Sequence, residues 1–343
     1  MKVFRASSKP AGIILLVALL AFSGACKRGR GKVLEVNYVS APQVNLRDRL
    51  SAVYNKVATV KNGERVEVLE HQKRFVRVRT ASGTEGWLEQ RYVVDQETFD
   101  GFQKLIQETQ NAVVQSHGTT RNDTNLHLTP GRDTEHLYQI PSGEKLLIYK
   151  RATAEKSPAA AAPVAPSTSP KKEEPKKVQE DWWLVRDTQQ HVGWVLSRMV
   201  DVDVPLEIAQ YAEGQRFVAL FALNEVQDGD KKVAQYLAVL SEPHDGLPYD
   251  YDQVRVFTWN THRHRYETAY REHGLQGVLP VTVGQEDFDK EGKLPVFVLH
   301  VYDTNGQLVE RKYKLNTPIV RRVLAPGEQK QAPSVVHHNK KHR

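Results

Sequence analysis

The sequence predicts a mainly β protein: two small β-barrels joined by a helix, followed by an antiparallel β-sandwich or barrel. Three observations predict it. The stretches "FVRVRTASGTEGWLEQRYV" (75–93) and "WWLVRDTQQHVGWVLSRMV" (182–200) align without a gap, so one structural unit occurs twice. Each copy alternates apolar and polar residues over short runs separated by glycine-containing turns, the pattern of a small barrel. From Pro205 onward eight strand-like segments follow one another, with Asp228-Gly229 and Asn305-Gly306 as tight-hairpin signals.

The first 25 residues read as a targeting segment. Lys2, Arg5 and Lys9 precede the apolar run Ala11 to Phe22, which fits a signal-peptide core but is short of the ~20 residues needed to cross a bilayer. Ser23, Gly24 and Ala25 then lead to Cys26, the one cysteine of the chain. This order resembles the lipobox of bacterial lipoproteins. The resemblance implies that the Cys26 thiol is acylated and ties the chain to a lipid bilayer of the cell envelope, facing the periplasm. The same small residues also fit an ordinary cleavage site, which would release a soluble protein with a free thiol. The basic stretch from Cys26 to residue 33 is read as a tether that either attracts anionic headgroups or is merely solvated.

The first barrel is assigned to residues 34–95 and the second to 119–202. Besides the 19-residue match, "VNLRDR" (44–49) recurs loosely as "LHLTPG" (126–131), and "NGERVEVLE" (62–70) recurs as "SGEKLLIYK" (142–150). These signals, ending in Gly-Trp-Leu or Gly-Trp-Val, resemble the bacterial SH3-like domain. That resemblance implies a binding module for peptidoglycan peptides or an envelope protein, without naming the ligand.

Between the barrels, residues 96–118 carry Phe99, Phe102, Leu105, Ile106 and Val113 at helical spacing. They predict one amphipathic helix that ends near Gly118 and docks on a barrel. Residues 152–180, rich in Ala, Pro, Lys and Glu, read as a disordered insertion between two strands of the second barrel. It serves there as a spacer or as a proline-rich ligand. Residues 205–325 form the β-rich C-terminal domain. Its "VFTWNTHRHRYETAYRE" resembles the strand-turn-strand of uncharacterised envelope proteins that pair SH3-like repeats with a β module. Residues 326–343 are a basic tail, expected to be disordered.

Period-two alternation selects the candidate binding residues. Val76 and Val78 must face inward, since Arg77 and Arg79 would otherwise be buried unpaired. Phe75 then points outward. By register Trp183 and Val185 are core and Trp182 is the matching outward aromatic. Phe75 and Trp182 are therefore the leading ligand contacts, with Tyr92, Tyr138 and Arg186 as weaker candidates. The alternative is that neighbouring elements cover Phe75 and Trp182. Trp87 and Trp194 read as structural.

The formal net charge is +7, but it sits in the tails. Setting aside three cations before the apolar run, four after Cys26 and a net three in the last 18 residues leaves −3 for residues 33–325. A nucleic-acid surface is therefore not expected. Cell-wall cysteine peptidases need a thiol beside a histidine, and Cys26 is spoken for. His262 and His264 sit at an expected hairpin turn among arginines and read as solvated. Asp287, Asp289 and Glu291 imitate the start of a calcium loop, yet Val298 stands where its bidentate glutamate belongs. No cofactor, metal or catalytic residue is assigned. A non-enzymatic envelope binding protein is the expectation. The alternatives are an assembly protein acting through its C-terminal domain and a hydrolase with an unrecognised site there.

Overall fold

The computed structural model describes residues 32–157 and 178–324. Its strands form three seven-stranded sheets, paired antiparallel throughout. The first contains β1 (Glu35–Val39), β2 (Gln43–Arg47), β3 (Lys56–Lys61), β4 (Arg65–Gln72), β5 (Phe75–Arg79), β6 (Glu85–Glu89) and β7 (Val93–Asp95). The second contains β8 (Ser116–Thr120), β9 (Thr124–His127), β10 (His136–Ile140), β11 (Lys145–Glu155), β12 (Gln179–Arg186), β13 (Val192–Leu196) and β14 (Val200–Val202). Their orders are β3-β2-β6-β5-β4-β1-β7 and β10-β9-β13-β12-β11-β8-β14, the same path traced twice.

The alternation of β5 explains its place. Val76 and Val78 are fully buried with Val39, Leu46, Val66 and Leu88, while Arg77 and Arg79 both find Glu85, at 2.8 and 2.9 Å. Where β6 crosses β2, Gly86 is indispensable: an added Cβ would lie 2.8 Å from that of Leu46. Gly193 of β13 would meet Leu126 at 2.7 Å. This crossing corrects the upstream alignment by two residues. Asn45-Leu46-Arg47 matches Asn125-Leu126-His127, since Arg47 lies opposite Trp87 and His127 opposite Trp194.

Helix α1 (Gln96–Glu108) is capped by Asp95, which accepts a 2.8 Å hydrogen bond from the Thr98 N–H. Phe99 stacks on Tyr38 of the first barrel at 3.8 Å, and Phe102, fully buried, meets Tyr138 of the second edge-on at 5.6 Å. The helix thus packs on both barrels. It stops ten residues short of Gly118 because the Thr109 hydroxyl donates to the Leu105 and Ile106 carbonyls and residues 109–111 turn the chain out of the helix. Gly118 lies inside β8, paired with both β11 and β14, and Val113 is 45 % exposed beyond the helix.

In the second barrel β11 and β12 pair out to Glu155 and Gln179, so residues 152–155 and 179–180 are strand rather than insertion. Residues 158–177, the signal segment with Cys26, and the basic tail lie outside the described residues.

After a short helix α2 (Leu206–Ala209) come β15 (Arg216–Asp228), β16 (Lys231–Ser241), β17 (Tyr251–Asn260), β18 (Arg265–Asp287), β19 (Lys293–Tyr302), β20 (Leu308–Asn316) and β21 (Ile319–Val323). They neighbour one another in chain order, an up-and-down sheet curved into a half-barrel. Two expected segments, 265–272 and 277–284, merge into β18, which pairs with β17 up to Gly277 and with β19 from Gly277 onward. One buried cluster runs from Tyr38 and Phe102 through Trp183 and Val185 to Leu237, Val256 and Phe297, tying the helix, second barrel and sheet together. Gln115, fully buried, accepts from the Val281 N–H at 2.7 Å and strengthens that seam.

Candidate functional site

Phe75 opens β5 immediately after the turn residues Lys73 and Arg74, with Lys73 in the left-handed region at φ 54°. The ring is half-buried and lies between two cations, 5.5 Å from the Arg47 guanidinium and 5.3 Å from that of Arg74. Arg47 also lies 4.3 Å over the ring of Tyr54, which is 38 % exposed. Leu50, Gln72, Lys73, Arg74 and Phe75 border a surface hollow of about 490 Å³. Glu89, 3.9 Å from Arg47, is the nearest carboxylate to that guanidinium. The face is therefore aromatic and cationic, able to hold a flat or extended ligand with carbonyl or carboxylate groups.

Trp182 does not stand outside its barrel. It is 2 % exposed, and β12 is buried on both faces. Alternation settles the side of a strand on which a residue lies, and here that side is covered. The His127 ring meets the indole edge-on at 5.2 Å, and Arg132 reaches across to clamp Glu180 with bonds of 2.7 and 2.6 Å. Trp182 is one of the residues lining a groove of about 340 Å³. Burial, then the charge of His136, push the His127 imidazole down to about 4.

The weaker candidates separate from Phe75. Tyr138 is buried and stacks on His191 at 3.8 Å, beside the Asn62 amide that donates to the Leu137 carbonyl at 2.7 Å. It joins the barrels rather than facing a ligand. Arg186 lies 5.3 Å over the Tyr149 ring and donates to the Thr109 hydroxyl at 3.0 Å, fastening the end of α1. Tyr92 is half-buried on the first core, its hydroxyl accepting from Arg91 at 2.8 Å, and it does not border the Phe75 hollow. Sequence reasoning missed Arg47, Arg74 and Tyr54, although an arginine next to an outward aromatic and another across the sheet were visible signals.

Elsewhere, the Asp228 carboxylate accepts from His264 at 2.7 Å and from the Trp259 indole at 2.8 Å, bracing the turn that holds His262. These bonds, His264's first, hold Asp228 below the usual carboxylate range. Glu291 takes the Lys314 ammonium at 2.5 Å and the Asn316 amide at 3.2 Å. Among the described residues no three His, Cys, Asp or Glu side chains converge as a metal site, and no helix is long and apolar enough to cross a membrane.

Comparison with known proteins adds one family and several distant shapes. No curated protein matches the chain. Solved structures that align include an NlpC/P60 family protein from Bacillus cereus, 9% identical over 82% of this chain and 95% of that one, with a TM-score of 0.21. NlpC2 from Trichomonas vaginalis is 10% identical over 84% and 95%, with a TM-score of 0.16. NlpC1 from the same organism is 9% identical over 86% and 92%, with a TM-score of 0.17. At such scores these likenesses carry no argument. Residues 42–94, which span the first barrel from β2 to β7 and include Phe75, match the bacterial SH3 domain family, and this part of the chain is a bacterial SH3 domain.

Proposed function

We propose that the protein is a non-enzymatic, lipid-anchored binding component of a bacterial cell envelope. Its two barrels act as tandem SH3-like modules, and the first holds an extended cell-wall or protein peptide. The observation that carries this reading is Phe75, set between the guanidinium groups of Arg47 and Arg74 on the barrel that matches the family. A rigid ring offers contact area at little cost in side-chain entropy, and flanking arginines receive carboxylates or carbonyls with geometric selectivity. The shared strand order supports treating residues 116–202 as a second module of the same kind. The lipid anchor and a periplasm-facing location rest on Cys26 and the segment before it.

A second reading, an assembly protein working through its C-terminal sheet, is favoured by β21. This edge strand pairs with β20, carries Ile319, 51 % exposed, and among the described residues has no further strand beside it, the position at which another strand can add.

The purified chain, sedimented with peptidoglycan sacculi and mixed in parallel with envelope extract, separates the two. Retention on sacculi that falls about tenfold in a Phe75→Ala, Arg74→Ala variant supports the first. Retention unchanged in that variant removes the Phe75 face from consideration. A protein captured from extract and lost on Ile319→Lys supports the second.

A further inference from the structure

We propose that the end of the first barrel at which the N-terminal tether arrives is a docking surface for an anionic phospholipid bilayer. The proposal rests on the lipid-anchor reading for its nearness to a membrane and on the barrel itself for its chemistry.

Sheet register gathers three elements at that end. The Leu34 N–H donates to the Val68 carbonyl at 2.8 Å and Glu35 lies 3.2 Å from His71, so the chain arrives beside the end of β4. There β4 turns into β5 through Lys73 and Arg74. The loop between β2 and β3 comes to the same place, since its Leu50 borders the same hollow as Lys73 and Arg74. The neck of this loop is closed. The Asp48 carboxylate accepts from the Asn55 N–H at 2.8 Å and from the Asn55 side-chain amide at 3.0 Å. The six residues between them therefore stand out from the barrel as a held projection.

This end is both apolar and cationic. Five of the twelve large hydrophobic side chains exposed among the described residues are here: Val33, Leu34, Val53, Tyr54 and Val57, with Val53 83% exposed. Lys32, Lys56, Lys73 and Arg74, all exposed, form no ion pair among the described residues, and they face only Glu35 and Glu70. The other carboxylates at this end, Asp48 and Glu89, are held by Arg49 and Arg91 at 3.0 and 2.9 Å. A surface that buries apolar side chains at a headgroup boundary and attracts anionic lipid needs both features.

Chain length selects the bilayer as the occupant. Cys26 precedes Lys32 by six residues, an extended reach of roughly 20 Å, and Lys27, Arg28 and Arg30 lie between them. An acyl group on Cys26 keeps this end within that reach of the headgroups, where even a weak contact becomes intramolecular. The opposite end of the barrel is already taken. At the turn from β3 to β4 the Asn62 amide donates to the Leu137 carbonyl of the second barrel at 2.7 Å. Docking therefore points the second barrel away from the membrane.

The test uses the chain from residue 26 onward with Cys26→Ser, which keeps every described residue and carries no acyl group. The protein should float with vesicles of phosphatidylglycerol and phosphatidylcholine. It should stay behind with phosphatidylcholine alone, or in molar salt, where the Debye length is about 3 Å. Val53→Ser should weaken partition about fivefold. Lys56→Gln with Lys73→Asn should weaken it about 30-fold, close to fivefold per cation. Asparagine suits the φ of 54° at residue 73. An equal charge change on the β15–β16 hairpin, Lys231→Gln with Lys232→Gln, should cost about twofold at most. Because Cys26 is the one thiol of the chain, adding Val53→Cys to the same protein provides a single site for a bimane label. Its emission should move to shorter wavelength on the anionic vesicles. An unmoved label, unchanged partition of Val53→Ser, or equal losses from the two lysine pairs overturns the proposal. Loss of sacculus retention in Val53→Ser without loss of flotation assigns this end to the cell wall and also overturns it. The mass of the Cys26 peptide from protein extracted from cells tests the anchor separately: an unmodified mass removes that reading, while the vesicle result decides the surface.

Discussion

Arg47 and His127 occupy one station in two barrels of identical strand order, each opposite the tryptophan of a Gly-Trp pair and each beside an aromatic of the next strand but one. Arg47 keeps a permanent charge 5.5 Å from Phe75, whereas His127 sits 5.2 Å from Trp182 and is held neutral by burial. The residue type at this station thus differs between a cationic aromatic surface and one whose aromatic is covered, together with Arg74 on the first face and the Arg132–Glu180 pair on the second.

The His127 environment makes the second barrel sensitive to acid. Its folded-state value, about 4, lies below the ordinary 6.5, so between these pH values the unfolded chain binds a proton that the folded chain refuses. Stability therefore rises with pH across this window and falls as pH drops from 6.5 towards 4. His127→Gln removes that dependence. Urea midpoints measured at intervals through the window should decline less steeply in the variant than in the parent. Parallel declines would show that His127 titrates as it does in the unfolded chain.

Much of this arrangement was legible in the residues. The inward pair Val76 and Val78, the core Trp183 and Val185, and a helix carrying Phe99 and Phe102 follow from local periodicity, which burial enforces residue by residue. Alternation left open whether Trp182 is exposed or covered, because it says nothing about what packs over the outer face, and the structure buries it. Here the His127 ring of β9 meets the indole, and Arg132 pairs with Glu180 beside it, contacts that only the sheet register and a distant turn bring together. The end of α1 was misplaced for a local reason, as the Thr109 hydroxyl takes the last helical carbonyls without any glycine signal. The arginines around Phe75 belong to separate strands and turns, so only the sheet register brings them together.

The crossing of β6 over β2, repeated by β13 over β9, predicts a matched pair of effects. In Gly193→Ala the new methyl would lie 2.7 Å from the Leu126 Cβ and 3.1 Å from the His127 carbonyl oxygen, and backbone cannot move aside cheaply. Overpacking of this kind costs about 1–3 kcal/mol. Gly86→Ala should cost a similar amount, since Leu46 and Val57 both stand 2.8 Å away. Denaturant unfolding of each variant measures it. A loss within error of zero would mean that the strands cross further apart than described.

Helix α1 should act as a clamp. Phe102 is fully buried against Tyr138, and Phe99 lies flat on Tyr38. Phe102→Ala is expected to cost about 3–5 kcal/mol from lost burial and the cavity left behind. Because the two rings face different barrels, Phe99→Ala should loosen the first barrel selectively. Hydrogen exchange is the discriminating measurement: faster exchange of β1 and β7 amides, with β8 and β14 unchanged, is the expected pattern. Uniform acceleration across both barrels would instead make the helix part of one cooperative unit.

The most fully buried charge among the described residues joins the second barrel to the C-terminal sheet. Asp181 is fully buried and accepts from Arg151 at 2.7 Å, Arg216 at 2.7 Å and the Gly246 N–H at 3.0 Å. Burial opposes its ionisation, but these donors, Arg151's foremost, keep it below the usual carboxylate range. Arg151 is itself only 3% exposed and shares Asp250 at 3.3 Å, whereas Arg216 retains Asp245 at 2.9 Å near the surface. Removing the central carboxylate therefore strands Arg151 more than Arg216. Asp181→Asn should destabilise the chain by about 3–5 kcal/mol, the range for breaking a buried ion pair from one side. A double-mutant cycle with Arg151→Met locates the cost. The pair of substitutions should recover part of the loss, since the Arg151 charge is then no longer left facing an amide, the remainder being the Asp250 carboxylate that loses Arg151, while an additive double variant would mean that Asp181 acts mainly through Arg216 and Gly246.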